Sequence, residues 1–222
     1  MTLPEPASEV AAQADLPSLF ELIRSGGPMM WPIGLCSVVT LAYFVERSLR
    51  LRAGHLGTAR FGRDVVATVQ SRGVKPALEL CEGQRSPLAR ILAAGLRRAD
   101  APFLDREKVV EDKASGELRT LSQNLRPLFL VFLVAPLLGL LGTVWGMIEA
   151  FSDIALEEGL GKPEELAAGI YQALTTTAAG LAVAIPSVVG YYYLRGRIER
   201  FGRRTEEVYR EVDDAVFQGA SS

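Results

Sequence analysis

The residues of this chain best placed to do chemistry are threonines. Thr143 lies in "APLLGLLGTVWGMIEAF", Ala135 to Phe151, and Thr175, Thr176 and Thr177 run together in "GIYQALTTTAAGLAVAIPSVVGYYYL", Gly169 to Leu194. A hydroxyl both donates and accepts hydrogen bonds, so it can hold water on a proton path without itself being the acid. Neither Pro127 to Ile148 nor Leu166 to Leu194 contains Asp, Glu, His, Lys or Arg. An intramembrane ionisable group costs about 2.5–3.5 kcal/mol on insertion scales and marks such a path. A path built on these threonines therefore lacks its acid within this chain.

Other chemistries are not supported. The one histidine, His55, sits in a polar loop and reads as a solvated or interfacial residue. No phosphate loop, zinc-ligand spacing or nucleophile elbow appears, so no catalytic, metal or cofactor residue is expected and the chain is not read as an enzyme. Cys36 and Cys81 fall in different predicted compartments, which excludes a disulfide framework.

The threonines are embedded among small residues at helical spacing. Gly142 and Gly146 form a GxxxG, and Gly139 with Thr143 repeats the interval on an adjacent line. In the second segment Gly169, Ala173 and Thr177 make one stripe, and Thr176, Gly180 and Ala184 make another. Small residues at this interval let helix backbones approach closely in lipid. Pro136 and Pro186 each remove a backbone donor, which frees a carbonyl for a cavity or a partner. Threonine hydroxyls can instead bond back to carbonyls one turn earlier and bend a helix, which is the purely structural alternative.

The elements that position these residues follow from charge segregation. The chain of 222 residues is 49% hydrophobic with a net charge of only -2, yet three windows are free of charge: Ser25 to Val45, Pro127 to Ile148 and Leu166 to Leu194. Each can supply the roughly 20 apolar residues needed to cross a hydrocarbon core about 30 Å thick. No basic n-region or cleavage site marks the first as a signal peptide, so a retained anchor is expected.

All Lys and Arg except Arg24 and Lys162 lie in Glu46 to Arg126 or after Tyr193. The positive-inside rule puts those segments in the cytoplasm. The expected order is a periplasmic arm (1–17), an interfacial amphipathic helix (18–27), a first span (28–45), a cytoplasmic helical loop (46–127), a second span (128–150), a periplasmic loop (151–165), a third span (166–194) and a cytoplasmic tail (195–222). The loop reads as helices punctuated by Gly73, Gly83 and Pro87. The pattern from Asp105 predicts a helix running into the second span, and the third span predicts one running into the tail. The fold class is thus an all-α integral membrane protein, its second and third spans extended into a cytoplasmic helical bundle. The clusters "RSLRLR" and "RGRIERFGRR", directly cytoplasmic to spans, favour anionic lipid over nucleic acid.

The two threonine-bearing segments, with "FELIRSGGPMMWPIGLCSVVTLAYFVERSLRLR" before them, resemble the MotA/TolQ/ExbB proton-channel family, and the chain looks most like an ExbB-type member. The resemblance covers residues 18 to 205 and is most specific in the second and third spans. It implies an inner-membrane homopentamer around a single-span ExbD-like protein, whose membrane aspartate carries the proton and whose energy passes to a TonB-like protein. It also implies pore-lining roles for Thr143 and Thr177, with Thr176 and Gln172 on the same path and Pro136, Gly139, Gly142, Gly146, Gly180 and Pro186 packing the helices. Gln172 departs from the family, where a glutamate is common, and cannot exchange a proton at neutral pH. A TolQ-like role in envelope integrity and a passive membrane scaffold are the competing expectations; a flagellar stator would have four spans.

Overall fold

The computed structural model describes residues 26–156 and 163–220. The expected arm at 1–17, nearly all of the interfacial helix at 18–27 and the middle of the 151–165 loop lie outside them. The described residues form helices and no strand: α1 (Met30–Arg50), α2 (Ala53–Leu56), α3 (Ala59–Arg72), α4 (Val74–Glu82), α5 (Pro87–Leu96), α6 (Phe103–Gln123), α7 (Arg126–Leu156) and α8 (Pro163–Ala220). Of these, α1, α7 and α8 are long and apolar enough to cross a membrane.

Contacts divide the chain into two compact units. Among the described residues, one unit contains 26–36 with 134–156 and 163–183; the other contains 37–133 with 184–220. Both α7 and α8 therefore contribute to each.

The second unit is a helical bundle whose core is set by spacing. On α8, Leu194, Ile198, Phe201, Thr205, Val208, Val212 and Ala215 are all buried. They alternate steps of four and three, the 3.5-residue seam by which helices pack side by side. Opposing apolar positions come from Phe61, Val65 and Val69 on α3 and from Leu88, Ile91 and Leu92 on α5. Helix starts are capped: the Thr58 hydroxyl accepts from Phe61 N–H and the Ser86 hydroxyl from Ala89 N–H, both at 3.2 Å. Gly73 links α3 to α4 with φ of 86°, a conformation open to glycine without strain.

One buried ion pair ties α6 to α8. Arg106 and Asp213 approach to 2.9 Å, and Arg106 also donates to the carbonyls of Ala99 and Ala101. The Arg106–Asp213 contact is ionic, since the nitrogen involved makes no well-aligned hydrogen bond. On the outer side, Arg90 donates to both oxygens of Glu117, which Lys113 also reaches. These bonds, the Arg90 one first, hold the Glu117 carboxyl below the usual range. Cys81 is free and buried, and burial pushes its thiol up to about 12, far from thiolate reactivity at neutral pH.

The expected continuous helix from Asp105 into the second span is broken. α6 ends at Gln123 and α7 begins at Arg126, with Asn124 and Leu125 in a tight turn. Pro127 fits the break, because it has no N–H to offer the Gln123 carbonyl and is favoured in a first helical turn. The expected continuity of the third span and tail is found: α8 runs 58 residues, about 87 Å at 1.5 Å per residue. Pro186 does not interrupt it. The neighbouring Ser187, fully enclosed, donates to the Leu128 carbonyl at 2.7 Å.

The apolar surfaces of the long helices are bare. Leu41 on α1, Leu137 on α7 and Val189 on α8 are 66%, 64% and 62% exposed. Such stripes in water would be far larger than the apolar patches of soluble monomers, so lipid or other chains must cover them.

Candidate functional site

Within the first unit, α7 and α8 pack along a seam made almost wholly of small residues. Backbone proximity there is set by missing side chains. A Cβ on Gly180 would lie 2.6 Å from the Ala135 carbonyl oxygen, and one on Gly139 would lie 3.0 Å from Thr177 Cα. Further along, Gly142 faces Thr176, Gly146 faces Ala173, and Gly169 faces Ala150. The register is antiparallel: moving up α7 from Ala135 to Ala150, the facing residues on α8 descend from Gly180 to Gly169. This is the close approach that small-xxx-small spacing provides in lipid.

Hydroxyls concentrate at the centre of the seam. Thr177 Oγ1 donates to the Gly139 carbonyl at 3.1 Å. Thr176 Oγ1 lies 3.4 Å from the same oxygen and makes its shorter bond, 2.7 Å, to Ala173 of its own helix. Thr176 is only 1% exposed and fills the space left by Gly142, whereas Thr177 is half-buried. Thr143, also half-buried, donates to the Leu140 carbonyl at 2.6 Å. Thr175, the first of the three consecutive threonines, is buried and donates to the Tyr171 carbonyl of its own helix.

The structure thus brings Gly139, Gly142, Gly146, Gly180, Thr176 and Thr177 into one seam and leaves Thr143 one residue beyond Gly142, half-buried and bonded to its own helix. Gln172 stands apart from that hydroxyl cluster: its amide lies against Gly27, where a side chain would overlap it. Gly27 has φ of 66°, so glycine is favoured there on both counts. Pro136 is half-buried next to Ala135, and Pro186, in the second unit, is exposed. Ala135 and Ala150 complete the seam. The sequence reading missed them because alanine carries no conspicuous signal in an apolar run, although their spacing from Gly139 and Gly146 is four residues.

No cluster of metal-ligating side chains occurs among the described residues. A cavity of about 720 Å³ lies in the bundle between α6 and α8 and is lined by none of the seam residues. The chemistry open to the seam is therefore hydrogen bonding by hydroxyls and carbonyls in a segment without ionisable groups.

Comparison with known proteins identifies the family. Residues 83–207 match the family described as the MotA/TolQ/ExbB proton channel family. The chain is 33% identical over 199 residues to the biopolymer transport protein exbB1 of Vibrio cholerae, covering 88% of this chain and 87% of that protein. It is 29% identical over 191 residues to the biopolymer transport protein ExbB of Neisseria meningitidis serogroup A, covering 78% of this chain and 85% of that protein. With its three membrane-length helices and its matched second and third spans, the chain belongs to the MotA/TolQ/ExbB proton channel family.

Proposed function

We propose that this chain is the channel-forming subunit of a proton-driven motor in the bacterial inner membrane. With a single-span ExbD-like partner it would energise TonB-dependent transport across the outer membrane. The observation that carries this reading is a mismatch: hydroxyls and close-packed carbonyls gather at Gly139, yet neither charge-free window contains an acid or base. A proton carrier must then come from another chain, and a carboxylate on the partner's membrane helix supplies it.

In this reading the partner's carboxylate takes a proton from the periplasmic side, passes the threonines as the neutral acid and releases the proton toward the cytoplasm. Thr143 and Thr177 line that route. Thr176 holds the Gly142 notch beside it, and Gln172 contributes hydrogen bonds without exchanging a proton. A proton crossing the membrane supplies about 2.3 kcal/mol per 100 mV from the electrical term. Interhelical hydrogen bonds in membranes average about 0.6 kcal/mol, so one proton can rearrange contacts of the Thr177–Gly139 kind.

The N-terminus and the 151–165 loop face the periplasm, the bundle and tail face the cytoplasm, and copies of the chain form a homopentamer around the partner. The bare apolar faces of α1, α7 and α8 supply surface for lipid and for neighbouring subunits. Co-expression with an ExbD-like protein, followed by native mass measurement, tests the assembly. The expected product is a pentamer holding the partner. Recovery of the chain without any single-span protein bearing a membrane Asp would favour the passive scaffold instead.

A further inference from the structure

A second cavity, about 450 Å³, lies where α8 leaves its apolar segment, and its lining is cationic. Tyr193, Arg197, Arg200 and Arg204 line it from α8, with Leu51 and Leu56 on the facing wall; the lining contains no carboxylate. The α8 residues follow steps of four, three and four, which puts them on one helix face. Arg197 is anchored by donating to the Leu51 carbonyl at 2.7 Å, and Arg200 bonds only to the Gly196 carbonyl.

Nearby arginines have found acids. Arg195 pairs with Glu199 at 3.1 Å, Arg210 with Glu206 at 2.6 Å, and Arg50 with Glu46 at 3.0 Å. Among the described residues, no carboxylate pairs with Arg197, Arg200 or Arg204. Three guanidinium groups along one concave wall repel one another unless an anion sits between them. Their planar forks suit phosphate oxygens.

The setting identifies the anion's source. Tyr193 is the last aromatic residue of the charge-free window, one residue before its end, at the level where interfacial aromatic residues gather. Arg197 lies about 6 Å and Arg204 about 16 Å further along the helix at 1.5 Å per residue, spanning the headgroup layer. Leu51, Leu56 and Phe201 add apolar wall that a free inorganic ion would not need. We propose that this cavity binds the phosphate of an anionic phospholipid from the cytoplasmic leaflet. The Arg200 and Arg204 guanidinium groups grip the phosphate, and Tyr193 lies against the glycerol end. The assignment rests on the proposed membrane orientation and is independent of proton conduction.

The test is native mass spectrometry of the full chain released from nanodiscs of phosphatidylcholine mixed with equal phosphatidylglycerol. The wild type should retain phosphatidylglycerol preferentially. An Arg200→Gln, Arg204→Gln variant, altered only at exposed positions, should lose roughly thirtyfold of that preference, taking a typical contribution for each of two basic residues near an anionic surface. The paired residues give the control: Arg195→Gln, Arg210→Gln should keep it. An unchanged preference in the first variant, or an equal loss in the second, overturns the site. Displacement of the lipid by inorganic phosphate alone would also overturn it, in favour of a free-anion site. Labelling of an exposed Glu207→Cys variant with an impermeant maleimide, blanked against the wild type, checks orientation separately. Labelling from the cytoplasmic side only is expected, and labelling from the periplasm would overturn the leaflet assignment while leaving the lipid measurement to stand by itself.

Discussion

Thr176 occupies the space where Gly142 has no side chain: a Cβ at 142 would lie 2.5 Å from Thr176 Oγ1 and 2.7 Å from its Cβ. That contact holds α7 and α8 close enough for Thr177 to reach the Gly139 carbonyl. Glycines inside helices ordinarily weaken them by up to about 1 kcal/mol relative to alanine, so here packing outweighs propensity.

The sign of a glycine-to-alanine change should therefore depend on position. Gly142→Ala must displace Thr176 and is expected to cost about 1–3 kcal/mol, the usual range for overpacking. Gly180→Ala should cost more, because its Cβ meets the Ala135 backbone, which cannot rotate away. Gly116→Ala, exposed on α6 with nothing within 4 Å, should stabilise by about 1 kcal/mol. Thermal unfolding of the three variants in one detergent reads all three signs.

Thr177→Val keeps the shape of the side chain and removes only the hydroxyl. Losing its bond to Gly139 should cost about 0.6 kcal/mol, the average for interhelical bonds in membranes. Assembly with the partner should survive while coupling is lost, and Thr177→Ser should restore coupling. Pull-down of the partner alongside TonB-dependent uptake separates the two effects.

Acid stability should report Glu117. Its carboxyl is held below the usual range, chiefly by Arg90. A depressed folded-state value means that the stabilisation is complete above the unfolded glutamate pKa of about 4.3 and is lost as pH falls through the folded value. Glu117→Gln should thus be less stable than the wild type near neutral pH, with the gap closing below about pH 4. Unfolding curves of both proteins across that window check it.

Breaking the buried Arg106–Asp213 pair from one side should be more damaging than removing it whole. Asp213→Ala leaves Arg106, 5% exposed, without its counter-charge, at an expected cost of about 3–5 kcal/mol. Arg106→Met combined with Asp213→Leu should recover much of that loss. Denaturant unfolding of the single and double variants measures the difference.

Much of this architecture was legible in the residues. The charge-free windows fall wholly within α7 and α8 and largely within α1, because desolvating a charge in lipid outweighs every local preference, and the small-residue stripes at Gly139, Gly142 and Gly180 foretold close packing. What the residues did not disclose was which hydroxyl faces which carbonyl. Consecutive threonines point in different directions on a helix, and only the α7–α8 register encloses Thr176 while leaving Thr177 half-open. The turn at Asn124–Leu125 was hidden because Pro127 is equally compatible with a kink or a fresh helix start. Gln172 was read with the threonines, and its contact with Gly27 depends on a backbone reversal more than 140 residues away in sequence.

The central claim is that this chain builds a proton path whose acid belongs to another protein. Proton flux into proteoliposomes under an imposed potential tests it most directly, comparing the chain alone, its complex with the ExbD-like partner, and that complex with the partner's membrane Asp changed to Asn. Flux only from the intact complex, abolished by Thr143→Ala with Thr177→Ala in this chain, is the predicted result. Flux from the chain alone, or undiminished flux after the partner's Asp is removed, would contradict it.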